Sequence, residues 1–180
     1  GVPVKLIKTT KPFHFIIKCD EHLTLFREGF TLKDGKLCPP EILWYGQYPQ
    51  HVIVENLLIV SDYGKIIAYD IFTRSIIWSY EYERSVPLFQ GSLNKVRPII
   101  AANNQFIAYQ TENRTICILE FATRKKIAEF YISDLRNLLI DGNYLITINH
   151  KNDTKCIDIL DQCKELWMQS NYQQTSIEVL

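Results

Sequence analysis

A chain of 180 residues, 47% hydrophobic and 22% charged, is long enough to bury a core and ordinarily makes one domain. Twenty basic residues balance twenty acidic ones, so no whole-chain field exists to gather nucleic acid or an anionic membrane. No apolar run approaches the roughly 18 residues that cross a bilayer, and the opening GVPVKLIKTTK lacks the apolar core of a signal peptide, so the chain reads as soluble, without a membrane partner.

In chain order the sequence is a succession of short apolar runs rich in Ile, Val, Tyr, Thr and Phe, which suit pleated, partly buried surfaces better than helices. Turn formers such as Asp34-Gly35, Asp62-Tyr63-Gly64, Asn103-Asn104 and Asp141-Gly142-Asn143 separate them. VKLIK is followed by Phe15-Ile16-Ile17, then HLTLF, then ILWYG with Trp44. The same order returns as HVIV, Leu58-Ile59-Val60, IIAYDIF and IIWSY with Trp78. A third round reads RPII, Phe106-Ile107-Ala108, TICILEF and AEFYI with Phe130, and a fourth NLLI, Leu145-Ile146-Thr147, KCIDIL and ELWMQ with Trp167. The triplets start 43, 48 and 39 residues apart, and all three tryptophans of the chain stand in fourth strands.

Four-stranded units of about 40 to 45 residues are the size of β-propeller blades, small twisted sheets that hide their apolar faces against their neighbours. The expectation is an all-β chain of four consecutive four-stranded blades over residues 1–47, 48–84, 96–133 and 134–170, with 171–180 a tail or the start of a further strand. A sandwich or an open meander is the alternative. Closed propellers usually need more blades, and the chain opens on Gly1 in place of Met. It is therefore expected to be one segment of a larger propeller, closed by the remainder of that protein or by another chain.

One stretch adds a family likeness. AYDIFTRSIIW, Ala68 to Trp78, resembles the AxDxxTGxxxW signature of quinoprotein-like propeller repeats at Ala68, Asp70, Thr73 and Trp78, with Arg74 in place of the glycine. The third unit shares Thr123-Arg124, and the fourth has Asp158 and Trp167 with one extra residue between them. WD40 repeats are similar at this level, although no Trp-Asp or Gly-His dipeptide occurs. The resemblance implies blade organisation of the WD40-like or quinoprotein-like kind. It also implies that Asp70 accepts turn hydrogen bonds beside the Thr73 hydroxyl.

No reactive constellation emerges. A quinoprotein enzyme needs a quinone, a calcium held by oxygens and an aspartate base, and no such cluster can be assembled. Cys19-x-x-His22 and the set His150, Cys156 and Cys163 lack a second properly spaced ligand pair for zinc. GxSxG and phosphate-cradling glycine loops are absent. The expectation is a non-enzyme with no cofactor. Arg124-Lys125-Lys126 and the group Lys5, Lys8 and Lys11 could touch phosphates, but the first sits in a turn near Glu120 and Glu129 where solvated charge is ordinary, so a nucleic-acid-binding subunit is the less expected reading.

The expected function is a protein–protein interaction scaffold or substrate-receptor module of a multiprotein complex. The longest departure from the repeat, Tyr82 to Arg97, puts apolar bulk where a plain turn would be polar, and Val86, Leu88, Phe89 and Arg97 are the candidate partner-binding residues. A folded-back cap over the blade edge is the other reading of that loop. The insertion Arg27 to Glu41 is expected to be an elongated hairpin. Five cysteines without a CxxC fit a reducing cytoplasm or nucleus. The sequons Asn113-Arg-Thr and Asn152-Asp-Thr keep a secretory lumen as the alternative, and with it an extracytoplasmic quinoprotein-like sensor or assembly factor.

Overall fold

A computed structural model of the chain describes residues 3–62, 64–82, 98–111 and 114–170. All regular structure among them is strand, and no helix long and apolar enough to cross a membrane occurs there. The chain forms two compact units, Gly1–Ile100 and Ala101–Leu180. In the first unit β1 (Val4–Lys8), β2 (His14–Cys19), β3 (His22–Arg27) and, beyond an insertion, β6 (Glu41–Gln47) make one four-stranded sheet in the order β1-β2-β3-β6. The insertion holds its own hairpin, β4 (Phe30–Thr31) with β5 (Leu37–Cys38), as its Asp34-Gly35 turn suggested. The second sheet runs β7 (His51–Val54), β8 (Leu57–Asp62), β9 (Lys65–Asp70) and β10 (Ile76–Glu81).

The second unit repeats the pattern with β11 (Ile100–Ala102), β12 (Phe106–Gln110), β13 (Thr115–Glu120) and β14 (Lys126–Tyr131) in a third sheet. β15 (Leu135–Asp141), β16 (Tyr144–Asn149), β17 (Thr154–Asp158) and β18 (Lys164–Gln169) make the fourth. All four sheets are antiparallel meanders. Each breaks register between its third and fourth strands, a bulge that adds twist to the outer edge.

These registers align the repeats residue by residue. One backbone bond recurs after every third strand: Glu28 N to Phe13 O at 2.7 Å, Ile71 N to Asn56 O at 2.9 Å, Phe121 N to Gln105 O at 2.7 Å and Ile159 N to Asn143 O at 2.9 Å. It makes Phe15, Leu58, Ile107 and Leu145 equivalent, so the third anchor is Ile107-Ala108-Tyr109 rather than Phe106-Ile107-Ala108. Beside the bulge, Trp44 faces Leu25, Trp78 faces Ala68 and Trp167 faces Cys156, whereas Ala128 faces Ile118. Phe130 lies on the outer strand as expected, but two residues past the tryptophan place. The first strand of the third sheet is also displaced. It starts at Ile100, after Pro98, whose ring nitrogen has no hydrogen to give a ladder.

The core of the first unit lies between its two sheets. Ile16, Leu23 and Leu25 from one and Leu58, Val60 and Ile71 from the other are buried together, with Ile7, Trp44, Tyr48, Ile53, Tyr69 and Phe72 around them. Alternation along β2 and β3 puts these residues on one face. In the second unit Leu138, Leu145, Thr147 and Ile157 line the buried face of the fourth sheet, and Asn103 Nδ2 donates to the Gly142 carbonyl at 2.9 Å. Truncating a fully buried side chain leaves a cavity, so Leu25→Ala is expected to lower stability by about 2–5 kcal/mol in urea unfolding. Leu43→Ala, at an exposed position of the same sheet, is expected to stay within about 0.5 kcal/mol.

Candidate functional site

The best-formed cavity among the described residues lies in the first unit and has a volume of about 120 Å³. Trp44, Tyr48, Leu58, Tyr69, Asp70, Ile71 and Arg74 line it. Its framework is the turn between β9 and β10. Asp70 Oδ1 accepts from the backbone N–H of Phe72 at 2.9 Å and of Thr73 at 2.7 Å, and from the Thr73 hydroxyl at 3.1 Å. The Thr73 N–H holds the Asp70 carboxyl below its ordinary value; burial opposes it, and the Phe72 N–H, the Thr73 hydroxyl and the Lys11 charge add to the lowering. The turn closes with Arg74 at a φ of 60°, the left-handed region where the resembling signature carries glycine.

Trp44 docks on this turn from the neighbouring sheet, donating its indole N–H to the Ile71 carbonyl at 2.6 Å. The Arg74 guanidinium lies 5.5 Å from the Trp44 ring centroid and donates to the Tyr48 hydroxyl at 2.9 Å. Tyr48 meets Trp44 edge-on with centroids 6.4 Å apart. It reaches that position because residue 46 is glycine: a Cβ there would stand 2.7 Å from the Tyr48 ring. His51 holds the Tyr48 carbonyl through Nδ1 at 2.6 Å. Burial pushes the His51 pKa down, only partly offset by that bond.

Chemically this is a joint between two sheets. Asp70 is spent on its turn and Arg74 on Trp44 and Tyr48. The space left holds roughly four waters at about 30 Å³ each, well short of the roughly 300–1,000 Å³ of a cofactor or drug-sized pocket. Sequence reading found Asp70, Thr73 and Trp44 through the repeat. It missed Tyr48 and Arg74 as neighbours, because their 26-residue separation carries no periodic signal.

Other residues singled out in the sequence are placed as follows. Val86, Leu88, Phe89 and Arg97 lie outside the described residues, as does Asn113. Cys19 and His22 face each other across the β2–β3 turn. Among the described residues no group of three His, Cys, Asp or Glu side chains comes together to hold a metal. All five cysteines are free thiols. Arg124 ends the third-sheet turn at a φ of 58° and its guanidinium bonds the Ala122 carbonyl, while Lys126 pairs with Glu129. Lys11 lies 4.1 Å from the Phe72 ring centroid. Asn152, on an exposed turn, accepts from Arg136 at 2.6 Å.

No known family profile and no curated protein matches the sequence. Among solved structures, the computationally designed Ika8 protein superposes with a TM-score of 0.60 at 13% identity, over 94% of this chain and 50% of that one. BamB from Moraxella catarrhalis superposes with a TM-score of 0.54 at 10% identity, over 92% of this chain and 51% of that one. The fold is β-propeller-like. The chain spans about half the length of both structures.

Two measurements probe the joint. Arg74→Ala keeps the strained φ and loses the ring and hydroxyl contacts, so it is expected to cost about 1 kcal/mol in a thermal or urea melt. Arg74→Gly loses the same contacts but relieves about 1 kcal/mol of left-handed strain, and should melt close to wild type. Because the folded-state pKa of His51 is lowered from 6.5, its contribution is fully present above pH 6.5 and is lost as pH falls below that value. His51→Asn, which retains a donor for the Tyr48 carbonyl but does not titrate there, should flatten this part of the stability–pH curve.

Proposed function

We propose that this chain is a non-enzymatic protein–protein interaction module, acting as a scaffold or substrate receptor within a multiprotein complex. The supporting observation is its surface. On a β-propeller-like fold, Val4, Leu6, Ile42 and Tyr45 stand exposed on one sheet and Leu139, Leu166, Trp167 and Met168 on another, a density of apolar side chains that marks association surfaces. The best-formed cavity among the described residues, by contrast, is a small space inside the joint between two sheets. Five free thiols favour a reducing cytoplasm or nucleus.

The partner contact is placed on the long loop, at Val86, Leu88, Phe89 and Arg97. Leu88→Ser combined with Phe89→Ser is expected to weaken partner capture by about 2 kcal/mol or more, while the melting temperature moves by only a few degrees. Unchanged capture with a sharply lowered melt would remove the loop from the contact.

A second reading is favoured by the quinoprotein-like residues Ala68, Asp70, Thr73 and Trp78, together with the likeness to BamB. It makes the chain an extracytoplasmic sensor or assembly factor. A glycosidase-sensitive mobility shift that vanishes in Asn152→Gln would select this reading; chain recovered from its native source without sugar would select the first.

A further inference from the structure

The sheets at the two ends of the described strand order each have one packed face and one open face, and the joint inside the first unit says what an open face is built to meet. There, Ile7, Ile16, Leu25 and Trp44 of the first sheet cover Leu58 and Val60 of the second, and Trp44 donates to the carbonyl that follows the third strand, that of Ile71. One sheet supplies the tryptophan face and the next the receiving face.

Repeat register transfers both roles. On the open side of the fourth sheet, Leu139, Ile146, Cys156 and Trp167 stand where Ile7, Ile16, Leu25 and Trp44 stand in the first. Leu139 and Trp167 are each 47% exposed. On the open side of the first sheet, Phe15 and Ile17 hold the places of Leu58 and Val60, with Ile17 37% exposed. Glu28, whose N–H bonds the Phe13 carbonyl, holds the place of Ile71. The chain thus shows an unfilled tryptophan face at its fourth sheet and an unfilled receiving face at its first.

We propose that a second copy of this chain joins the two, the open face of the fourth sheet in one copy seating on the open face of the first sheet in the other, with Trp167 aimed at the Glu28 carbonyl. Each copy carries one face of each kind, so a two-fold pair satisfies all four. Two copies also supply the length of the structures that this chain half-covers. Charges on the two faces are mixed and compatible. The receiving face carries Lys8 and His22 on its strands, with Glu28 in the place of Ile71, and the tryptophan face carries Asp141 and Asp158 beside Lys164. Four strands about 4.8 Å apart and five residues long present roughly 320 Å² in projection. The four faces of a closed pair therefore cover at least about 1,300 Å², within the range of stable interfaces. The pair would bury Val4, Leu6, Ile42, Tyr45, Leu139 and Trp167, the apolar surface that supports the scaffold reading, so a partner bound by the dimer would be left to the long loop, and dimerisation is tested separately from partner capture.

Sedimentation of the 180-residue chain at about 50 µM tests it. A discrete dimer is expected, and Ile17→Glu and Leu139→Lys, each on one open face, should each weaken dimerisation at least a hundredfold while retaining the strand circular dichroism. Mixing the two variants is the discriminating arm. A head-to-tail pair of one Ile17→Glu copy and one Leu139→Lys copy keeps one unaltered joint, so mixed dimers should reappear at a 1:1 ratio, which misfolded variants would not give. A monomeric wild-type chain overturns the proposal and leaves the faces to further sheets of a longer polypeptide. A dimer indifferent to either variant, or an open-ended series of oligomers, overturns it as well.

Discussion

The structure depends on the burial of sheets that are apolar on both faces. In β8 the successive residues Leu58, Ile59 and Val60 are all buried. Because successive side chains point to opposite sides, such a strand is stable only where both sides of its sheet are covered. Ile59, Ile66 and Ala68 are inaccessible on one side and Leu58 on the other. At about 25 cal/mol per Å² of apolar area, covering a second face outweighs any single hydrogen bond in these sheets. A meander whose every strand lies beside its sequence neighbour, apart from the short hairpin inserted between β3 and β6, achieves this with short connections.

The turns show that several chemistries satisfy one geometry. After β9, Asp70 caps the turn and Arg74 takes the left-handed residue; after β13, Glu120 receives the Thr123 hydroxyl and Arg124 takes that φ. After β17 the extra residue leaves two left-handed positions, Gln162 and Cys163, with Asp158 still accepting from Leu160 N at 3.0 Å and Asp161 N at 3.3 Å. In the first sheet this turn is replaced by the β4–β5 hairpin. Arginine tolerates the strain of φ near 60° where its side chain gains something, and at Arg74 it gains a ring face and a phenol oxygen.

Strand order and the paired edges were legible in the sequence because alternation and tryptophan spacing report them directly. The third unit was legible only to within a residue. Phe106-Ile107-Ala108-Tyr109 is apolar at four successive positions, all buried, so hydropathy fixes the strand but not its phase. The phase is set by Asn103, whose Oδ1 accepts from Gln105 N at 2.9 Å and Phe106 N at 2.8 Å. One residue of slip exchanges the two faces of a strand, so this cap decides which side each residue of β12 presents. Phe130 looked equivalent to the tryptophans for a simpler reason: it is an aromatic residue of the outer strand, whereas Ala128, two residues earlier on the same face, holds their place without a ring. The cluster of Tyr48 and Arg74 with Trp44 was beyond reach for a different reason: it depends on how far one sheet lies from the next, and periodicity within a strand does not encode that distance.

The same sheets treat their edges and their faces in opposite ways. Unpaired edge strands invite other chains to add to them, and charge on the edge is a common defence. Glu41 on β6 pairs with Arg27, Lys126 and Glu129 pair along β14, and Glu165 on β18 pairs with Lys155. Exposed pairs of this kind add little to stability, but a chain docking edge-on would have to break or bury them. The open faces carry Phe15, Ile17, Leu139, Ile146 and Trp167 and few charges. Blunted edges beside apolar faces steer association toward face-to-face stacking, the mode in which the first and second sheets already meet, and away from strand addition.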